Sequence, residues 1–522
     1  MKLLIQGFLQ SLGVLISYCL LVFFSNPGEM PYSDLAKSIL EVFVVVCVIY
    51  TIVWICLRQF VDLIPISIVI LLLWLPIKNF VSQLSFLNFP ISLLSLLTLS
   101  ILWAASCFFI KKFNEKNILK INAFIAFITI FGTITEIILF NKSNPQDYTI
   151  ELVSNESNKN EYDKILTAKV QNQSLPNVIY LVPDRYGNKL SIKENFNYDN
   201  SSFYDELRKR QFTINEESRS NYPFTELSLS STLNNSYLKP TDAVINESSL
   251  FPLIKNGSAF NTFVKLGYQF YNFDNWWFGS QGIKSADYNF IYSNDESLSG
   301  PANYLYKIQT PIYSVLRTIF GDKESKKQCM LLQKYFDEIK NTVTKKQDQP
   351  YFIFAHLLAP HDPYLFNQNG ECNIDAIRFS NISSSEYLNQ KTWEKRKNYY
   401  LDYLTYTNNQ ILEIFDIAKI GSSRELIFVI QADEGPYPYC FLINNDGRYS
   451  LCSEQDWEIK TGILNAIYIS EDNNFKSSDL ISPINNFQHV FEKISQTTLK
   501  KKEHNFFIIK DRDKRMDFEI NN

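Results

Sequence analysis

Six side chains in the C-terminal two-thirds of this chain have the types and spacing of a group-transfer site: Asp184, Thr225, His356, His361, Asp433 and Glu434. Moving a phosphoryl or sulfuryl group takes an activated nucleophile, a cation to neutralise developing negative charge, and donors for the non-bridging oxygens. The carboxylates of Asp184, Asp433 and Glu434 are oxygen ligands suited to a hard divalent ion, Mn2+ or Mg2+ ahead of Zn2+, with Ca2+ also admitted. Asp433 and Glu434 are adjacent, and two neighbouring carboxylates repel unless they are solvated or bound to a cation. Taken alone, Asp184 reads as a helix cap or turn residue after a strand.

Thr225, in Asn221-Tyr222-Pro223-Phe224-Thr225, is the candidate nucleophile and a further metal ligand. It stands at the entrance of an expected helix, where backbone N–H groups favour an anion, although a threonine there is also an ordinary N-cap. Asn221 in the same segment is a candidate substrate contact. The chain has only four histidines, and two of them fall in AHLLAPHDPY. His361 lies between Pro360 and Pro363, which restrict the backbone around it. Near neutral pH an imidazole there could bind substrate oxygens or protonate a leaving alkoxide, with His356 as a second substrate contact. Trp276, in Trp276-Trp277-Phe278, offers a flat platform for a sugar or lipid head group; the plainer reading is a corner of the core.

The elements that must place these residues are visible as apolar runs. Val178 to Val182 is broken by Pro183, so Asp184 leaves the end of a buried strand, and Leu426 to Ile430 does the same before Asp433. Tyr351 to Ala355 precedes the histidines. Helical stretches are expected at 202–210, 226–233, 255–266, 324–343 and 391–417. Strands alternating with helices predict a largely parallel sheet covered on both faces, whose ligands collect at the carboxyl ends of the strands.

The first third differs in kind. Leu3 to Phe24 and Ile91 to Ile110 carry no charge, and Ile39 to Leu57, Phe60 to Ile77 and Asn122 to Phe140 carry one acidic residue each near an end. Each is long enough to cross a bilayer; a cleaved signal peptide is the alternative for the first. The expected domains are a transmembrane bundle of about five helices over 1–140, a polar linker over 141–174 and a catalytic domain over 175–522. Lys2, Arg58, Lys111, Lys112 and Lys116 on one side against Lys37 and Lys78 on the other place the N-terminus inside and the catalytic domain outside the cell membrane. A net charge of -4 with no basic block excludes nucleic acid as the expected partner. Cys440 and Cys452 flank FLINNDGRYSL, whose Asn-Asp-Gly suggests a hairpin that would pair them as a disulfide; two buried thiols are the other reading.

The segments VPDRYG, SNYPFTELSLSSTLN, PHDPY and QADEGP, in this order, resemble the sulfatase-like branch of the alkaline phosphatase superfamily, specifically its membrane-anchored hydrolases and transferases. The resemblance runs from about Leu175 to Ile494. It implies an α/β domain with metal ligands at Asp184, Thr225, Asp433 and Glu434, a Thr225 nucleophile, and substrate contact at His361. Glu434 stands where that family usually has histidine, which implies a harder metal preference or altered occupancy. The Cys/Ser-x-Pro-x-Arg sequence that sulfatases convert to formylglycine is absent near Thr225. What remains is similar to phosphoglycerol and phosphoethanolamine transferases, including lipoteichoic-acid-synthase-like proteins. The implied activity is transfer of a phospho-group from a membrane lipid donor to a cell-envelope glycan or lipid, through a covalent threonine intermediate. The alternatives are a sulfatase-like ester hydrolase and a catalytically silent glycan-binding or assembly module on the same fold.

Overall fold

A computed structural model describes residues 2–25 and 32–56, and then 175–239, 247–290 without Trp276, 323–380 without Lys346, 390–443, 449–470, 475–509 and 518–520, with scattered residues between. Two compact units divide the chain. In the N-terminal unit, α1 (Lys2–Ser25) and α2 (Tyr32–Cys56) are apolar helices. Leu35–Cys56 is long and apolar enough to cross a membrane, and Gly7–Leu20 is a shorter apolar stretch. Val14 and Cys19 pack with Val42, Val46 and Tyr50 along the seam, and Ser11 and Tyr50 share a hydrogen bond of 2.9 Å. The other three expected spans lie outside the described residues, apart from scattered positions.

The second unit is a sheet-centred domain. Its elements are β1 (Asn177–Pro183), α3 (Lys189–Phe196), α4 (Ser201–Lys209), β2 (Thr213–Asn215), α5 (Thr225–Asn234), α6 (Phe251–Lys255), α7 (Ser258–Lys265), β3 (Gln269–Phe273), β4 (Tyr288–Phe290), α8 (Lys323–Thr344), β5 (Tyr351–Leu357), α9 (Ile374–Ser380), α10 (Gln390–Gly421), β6 (Leu426–Gln431), α11 (Tyr439–Ile443), α12 (Glu454–Thr461), β7 (Asn465–Ile469), α13 (Asn486–Ser495), β8 (Phe507–Ile509) and β9 (Phe518–Ile520). Strand order is β2-β7-β6-β1-β5-β3-β4, with β8 and β9 as a separate pair. The five strands from β6 to β4 run parallel, while β7 is antiparallel to both β6 and β2.

The central strands β1, β5 and β6 are buried along their whole length, as unbroken apolar runs in a doubly covered parallel sheet should be. Alternate side chains feed two cores. Ile179, Leu181, Ile353, Phe428 and Ile430 meet α8 and α10 through Phe336, Ile411 and Phe415. Val178, Tyr180, Phe352, Phe354 and Val429 meet α5, α7 and α13 through Leu229, Phe263 and Phe487. Register aligns Val182 with His356 and Leu181 with Ile430, so all three chains leave the sheet side by side.

Two details depart from the sequence expectations. The segment read as a linker touches the domain: Val153 N–H donates to the Tyr237 carbonyl at 2.7 Å, and Ile165 is buried in the second core. The 255–266 stretch is interrupted near its start: α6 ends at Lys255 and α7 begins at Ser258, with Gly257 between them, where an added Cβ would lie 3.0 Å from Leu233.

Candidate active site

β1 ends and Asp184 follows; β5 carries His356 as its penultimate residue; β6 ends two residues before Asp433. These side chains converge, all buried, with donor atoms within 4.8 Å of one another. His356 Nε2 stands 3.7 Å from Asp184 Oδ2 and 3.8 Å from Asp433 Oδ2. Neither ring nitrogen of His356 has a hydrogen-bond partner, and neither does Asp184 Oδ1. Buried polar atoms without partners are costly unless something else takes their lone pairs. The ring itself is fixed: Trp277 packs edge-on at 5.2 Å, and the His356 carbonyl accepts from Asn275 at 2.7 Å and Tyr335 at 3.2 Å.

The electrostatics point the same way. Burial, reinforced by Asp433, pushes Asp184 well above the usual carboxylate range. Burial together with Glu434 pushes Asp433 up to about 6, and burial pushes His356 down to about 3. Two crowded carboxylates and a neutral imidazole form a donor set whose repulsion a divalent cation would relieve. On that observation the residues fit a metal ion.

Thr225 is the first residue of α5, and Phe224, extended at φ -132°, occupies the N-cap position without a side-chain cap. The threonine hydroxyl is therefore not the cap. It donates instead to Asp433 Oδ2 at 2.5 Å, while Asp433 Oδ1 accepts from the backbone N–H of Arg185 at 3.1 Å and Glu434 at 2.7 Å. Arg185 adopts φ 59°, a left-handed conformation costing roughly 1–2 kcal/mol outside glycine. The Tyr400 hydroxyl donates to the Arg185 carbonyl at 2.9 Å and helps to hold it there.

The structure does not bring Glu434 into this cluster. Its Oε1 accepts from Arg185 Nε at 2.9 Å and its Oε2 lies 2.6 Å from Lys460 Nζ. Burial works to raise Glu434, but Lys460 and Arg185 hold it below its ordinary value. Lys460 arrives because β7 is antiparallel: its start lies beside the end of β6, so α12 finishes next to the acidic loop. The Gly435 N–H donates to the Lys460 carbonyl at 2.8 Å.

His361 sits in the loop after β5, close to Asp362. Burial and the nearby Arg185 charge push its imidazole down to about 4, so at neutral pH it is a neutral hydrogen-bonding group and not a reservoir of protons. Asp362 binds Arg185 Nη1 at 2.8 Å and Arg396 Nη2 at 3.2 Å. A cleft here is lined by Arg185, Asp362, Arg396, Trp393, Tyr400 and Tyr437.

Asn221 is not placed to touch substrate. It is fully buried, and its Nδ2 donates to Ser482 at 3.1 Å, the Asn505 carbonyl at 2.8 Å and Tyr237 at 3.4 Å. These bonds, with Phe507 stacked on Tyr222 at 4.7 Å, anchor the segment leading to Thr225. Trp276 lies outside the described residues, and its neighbour Trp277 serves the core against His356 and Phe251. Cys440 and Cys452 are bridged, with helical turns at Tyr439–Ile443 and Tyr449–Leu451 where strands were expected. A second bridge, Cys329–Cys372, has no local sequence signal. Arg185, Asp362, Arg396 and Lys460 also escaped the sequence reading; the first two adjoin predicted site residues, which is a usable clue, while Lys460 offers none.

Residues 176–506 match the family model described as Sulfatase. No curated protein matches the sequence. Among solved structures, the C-terminal periplasmic domain of EcEptC from Escherichia coli, in complex with Zn, is 11% identical over 64% of this chain and 90% of its own, with a TM-score of 0.40. The soluble domain of lipooligosaccharide phosphoethanolamine transferase A from Neisseria meningitidis is 12% identical over 62% and 89%, with a TM-score of 0.37. The integral membrane form of that transferase, also from Neisseria meningitidis, is 12% identical over 95% and 92%, with a TM-score of 0.36.

Proposed function

Because the chain belongs to the sulfatase family, we propose that it is a membrane-anchored phosphotransferase that moves a phosphoglycerol- or phosphoethanolamine-type group from a lipid donor to a cell-envelope glycan or lipid, with Thr225 as nucleophile. The observation that carries this reading is the Thr225 hydroxyl at a helix N-terminus, hydrogen-bonded to Asp433 beside Asp184 and His356. A threonine cannot become an aldehyde, because its carbinol carbon already bears a methyl group. Its oxygen must therefore act as an ordinary alcohol, and the absent Cys/Ser-x-Pro-x-Arg sequence is consistent with that.

In the first step the Thr225 oxygen attacks the donor phosphorus, a threonine–phosphorus ester forms, the bond to the lipid alcohol breaks, and the leaving oxygen takes up a proton. Asp433 accepts the hydrogen bond from the hydroxyl that must be deprotonated. The N-terminal amides of α5 face incoming negative charge, and neutral His361 donates to or accepts from a substrate oxygen. In the second step an acceptor hydroxyl attacks the same phosphorus and Thr225 leaves. Asp184, His356 and Asp433 would hold a divalent ion, which supplies charge neutralisation for the non-bridging oxygens when bound. With an imidazole in the set, Mn2+ or Zn2+ suits these donors better than Mg2+ or Ca2+. Apolar helices α1 and α2 support anchoring, and two disulfides support an oxidising, extracytoplasmic setting for the catalytic unit.

The test is peptide mass analysis of the full chain incubated with Mn2+ and phosphatidylglycerol or phosphatidylethanolamine, beside Thr225→Ala. An adduct on Thr225 that needs metal and disappears in the variant is expected. A metal-loaded chain that forms none, or forms it equally in Thr225→Ala, refutes the proposal.

A further inference from the structure

Lys460, Glu434, Arg185, Asp362 and Arg396 form one chain of alternating charge, with successive contacts of 2.6, 2.9, 2.8 and 3.2 Å. It starts in the interior and ends at the cleft wall. Lys460 is wholly buried and Glu434 2% exposed, whereas the Arg185 side chain is 18% exposed and lines the cleft. The ring of Tyr437 lies 4.0 Å from both the Arg185 guanidinium carbon and Lys460 Nζ, so it sets the spacing of the two cations. Both Glu434 oxygens are engaged, one by each cation. The loop cannot easily turn Glu434 elsewhere, because Gly435 is wedged against the carbonyls of Ile459, Lys460 and Gly462.

We propose that Glu434 is not a metal ligand but a positioning residue: Lys460 cancels its charge, Glu434 fixes the Arg185 guanidinium, and Arg185 presents an uncancelled positive charge to an oxyanion substituent of the substrate beside the metal centre. Asp362 leaves that charge in place because Arg396 neutralises it in turn. The chain thus carries one positive charge in excess, and it surfaces at Arg185. This inference rests on the phosphotransferase reading for its substrate class, an anionic ester, and on the triad of Asp184, His356 and Asp433 for its metal.

The full chain loaded with Co2+ separates the two roles. Cobalt stoichiometry and the visible absorption spectrum report the ligands, and calorimetric binding of inorganic phosphate reports the anion site. Glu434→Gln is expected to keep one cobalt per chain and an unchanged spectrum. Lys460→Met, which leaves Glu434 to cancel Arg185, is expected to weaken phosphate binding about tenfold at an unchanged spectrum. The double variant Glu434→Gln/Lys460→Met, with both charges removed, is expected to return phosphate affinity to within about threefold of wild type. A changed spectrum or lost cobalt in Glu434→Gln makes Glu434 a ligand and overturns the proposal. Equal phosphate affinity in Lys460→Met, or no recovery in the double variant, overturns it as well. If Lys460→Met does not fold, Arg185→Met carries the test, with lost phosphate affinity expected and wild-type affinity overturning. A wild-type chain that takes up no cobalt defeats the metal-centred reading itself, which is a different result from any of these.

Discussion

Replacing Gly435 by alanine tests whether the acidic loop is held in place by its contact with α12. The reason is space and not backbone freedom. A Cβ there would meet the carbonyl oxygens of Ile459 at 2.3 Å, Gly462 at 2.6 Å and Lys460 at 2.8 Å, all backbone atoms, when real Cβ contacts essentially never fall below 3.0 Å. Relief requires the loop and α12 to part by at least about 0.7 Å, the shortfall at Ile459. The hydrogen bond from Gly435 N–H to the Lys460 carbonyl, 2.8 Å long, stretches with it. Losing that bond costs about 1 kcal/mol and the overpacking a further 1–3 kcal/mol. Asp433 and Glu434 precede the glycine directly, so the shift passes to the acceptor of the Thr225 hydroxyl. Displacements near 1 Å in a catalytic constellation cost roughly a hundredfold in rate. The assays are the rate of phospho-threonine formation and the unfolding temperature, for which each kcal/mol moves a domain of this size by about 1–2 °C. Gly435→Ala that forms the adduct at the wild-type rate and melts where wild type melts would show that the loop does not depend on this contact.

Three further outcomes follow from named groups. In the metal-free chain, Asp433 is raised to about 6 by burial and Glu434; a carboxyl whose folded value exceeds its unfolded one weakens the fold as pH climbs from about 4 through about 6. The stability of wild type should therefore fall relative to Asp433→Asn across that window, by an amount on the order of a few kcal/mol, and parallel melting-temperature curves against pH would contradict it. The Cys329–Cys372 bridge spans 43 residues and Cys440–Cys452 spans 12, so loop-closure entropy predicts losses of about 4 and about 3 kcal/mol on removing each pair; denaturant unfolding of the paired serine variants should give that order, and the reverse order would argue against the entropic account. Asn221→Ala should lose roughly 2–3 kcal/mol by stranding buried partners, measured by denaturant unfolding, while the KM for donor stays at the wild-type value; a raised KM with unchanged stability would return Asn221 to the substrate.

The parallel core was legible in sequence because β1, β5 and β6 are buried on both faces and read as unbroken apolar runs ended by Pro183, His356 and Gln431. The same logic located Asp184 and Asp433, since a polar residue just past such a run must lie at the sheet's carboxyl edge. Thr225 was legible as a helix start, but that its hydroxyl faces Asp433 and does not cap the helix shows only in the structure. Glu434 shows that adjacency along a loop says nothing about direction: successive side chains diverge, one toward His356 and the other toward Lys460. Lys460, Asn221 and the Cys329–Cys372 bridge depend on contacts between residues far apart in the chain, and no local periodicity encodes those. The sheet was read as largely parallel, and the reversal at β7 that delivers Lys460 could not be distinguished from another parallel strand by composition.

That reversal also sets what can vary. β6 leaves and β7 returns at one end of the sheet, where Ala432 N–H donates to the Leu464 carbonyl at 2.9 Å, so residues 432–464 form an excursion with both feet pinned and a disulfide across its middle. Doubling the length of a loop with fixed ends costs only about 0.6 kcal/mol in closure entropy. Insertions near the Cys440–Cys452 bridge, a few residues beyond Pro436 and Tyr437 of the cleft wall, can therefore be absorbed while the strands that lead to Asp184 and His356 stay untouched. Diversification along this edge of the cleft, by natural drift or by design, has an inexpensive place to occur.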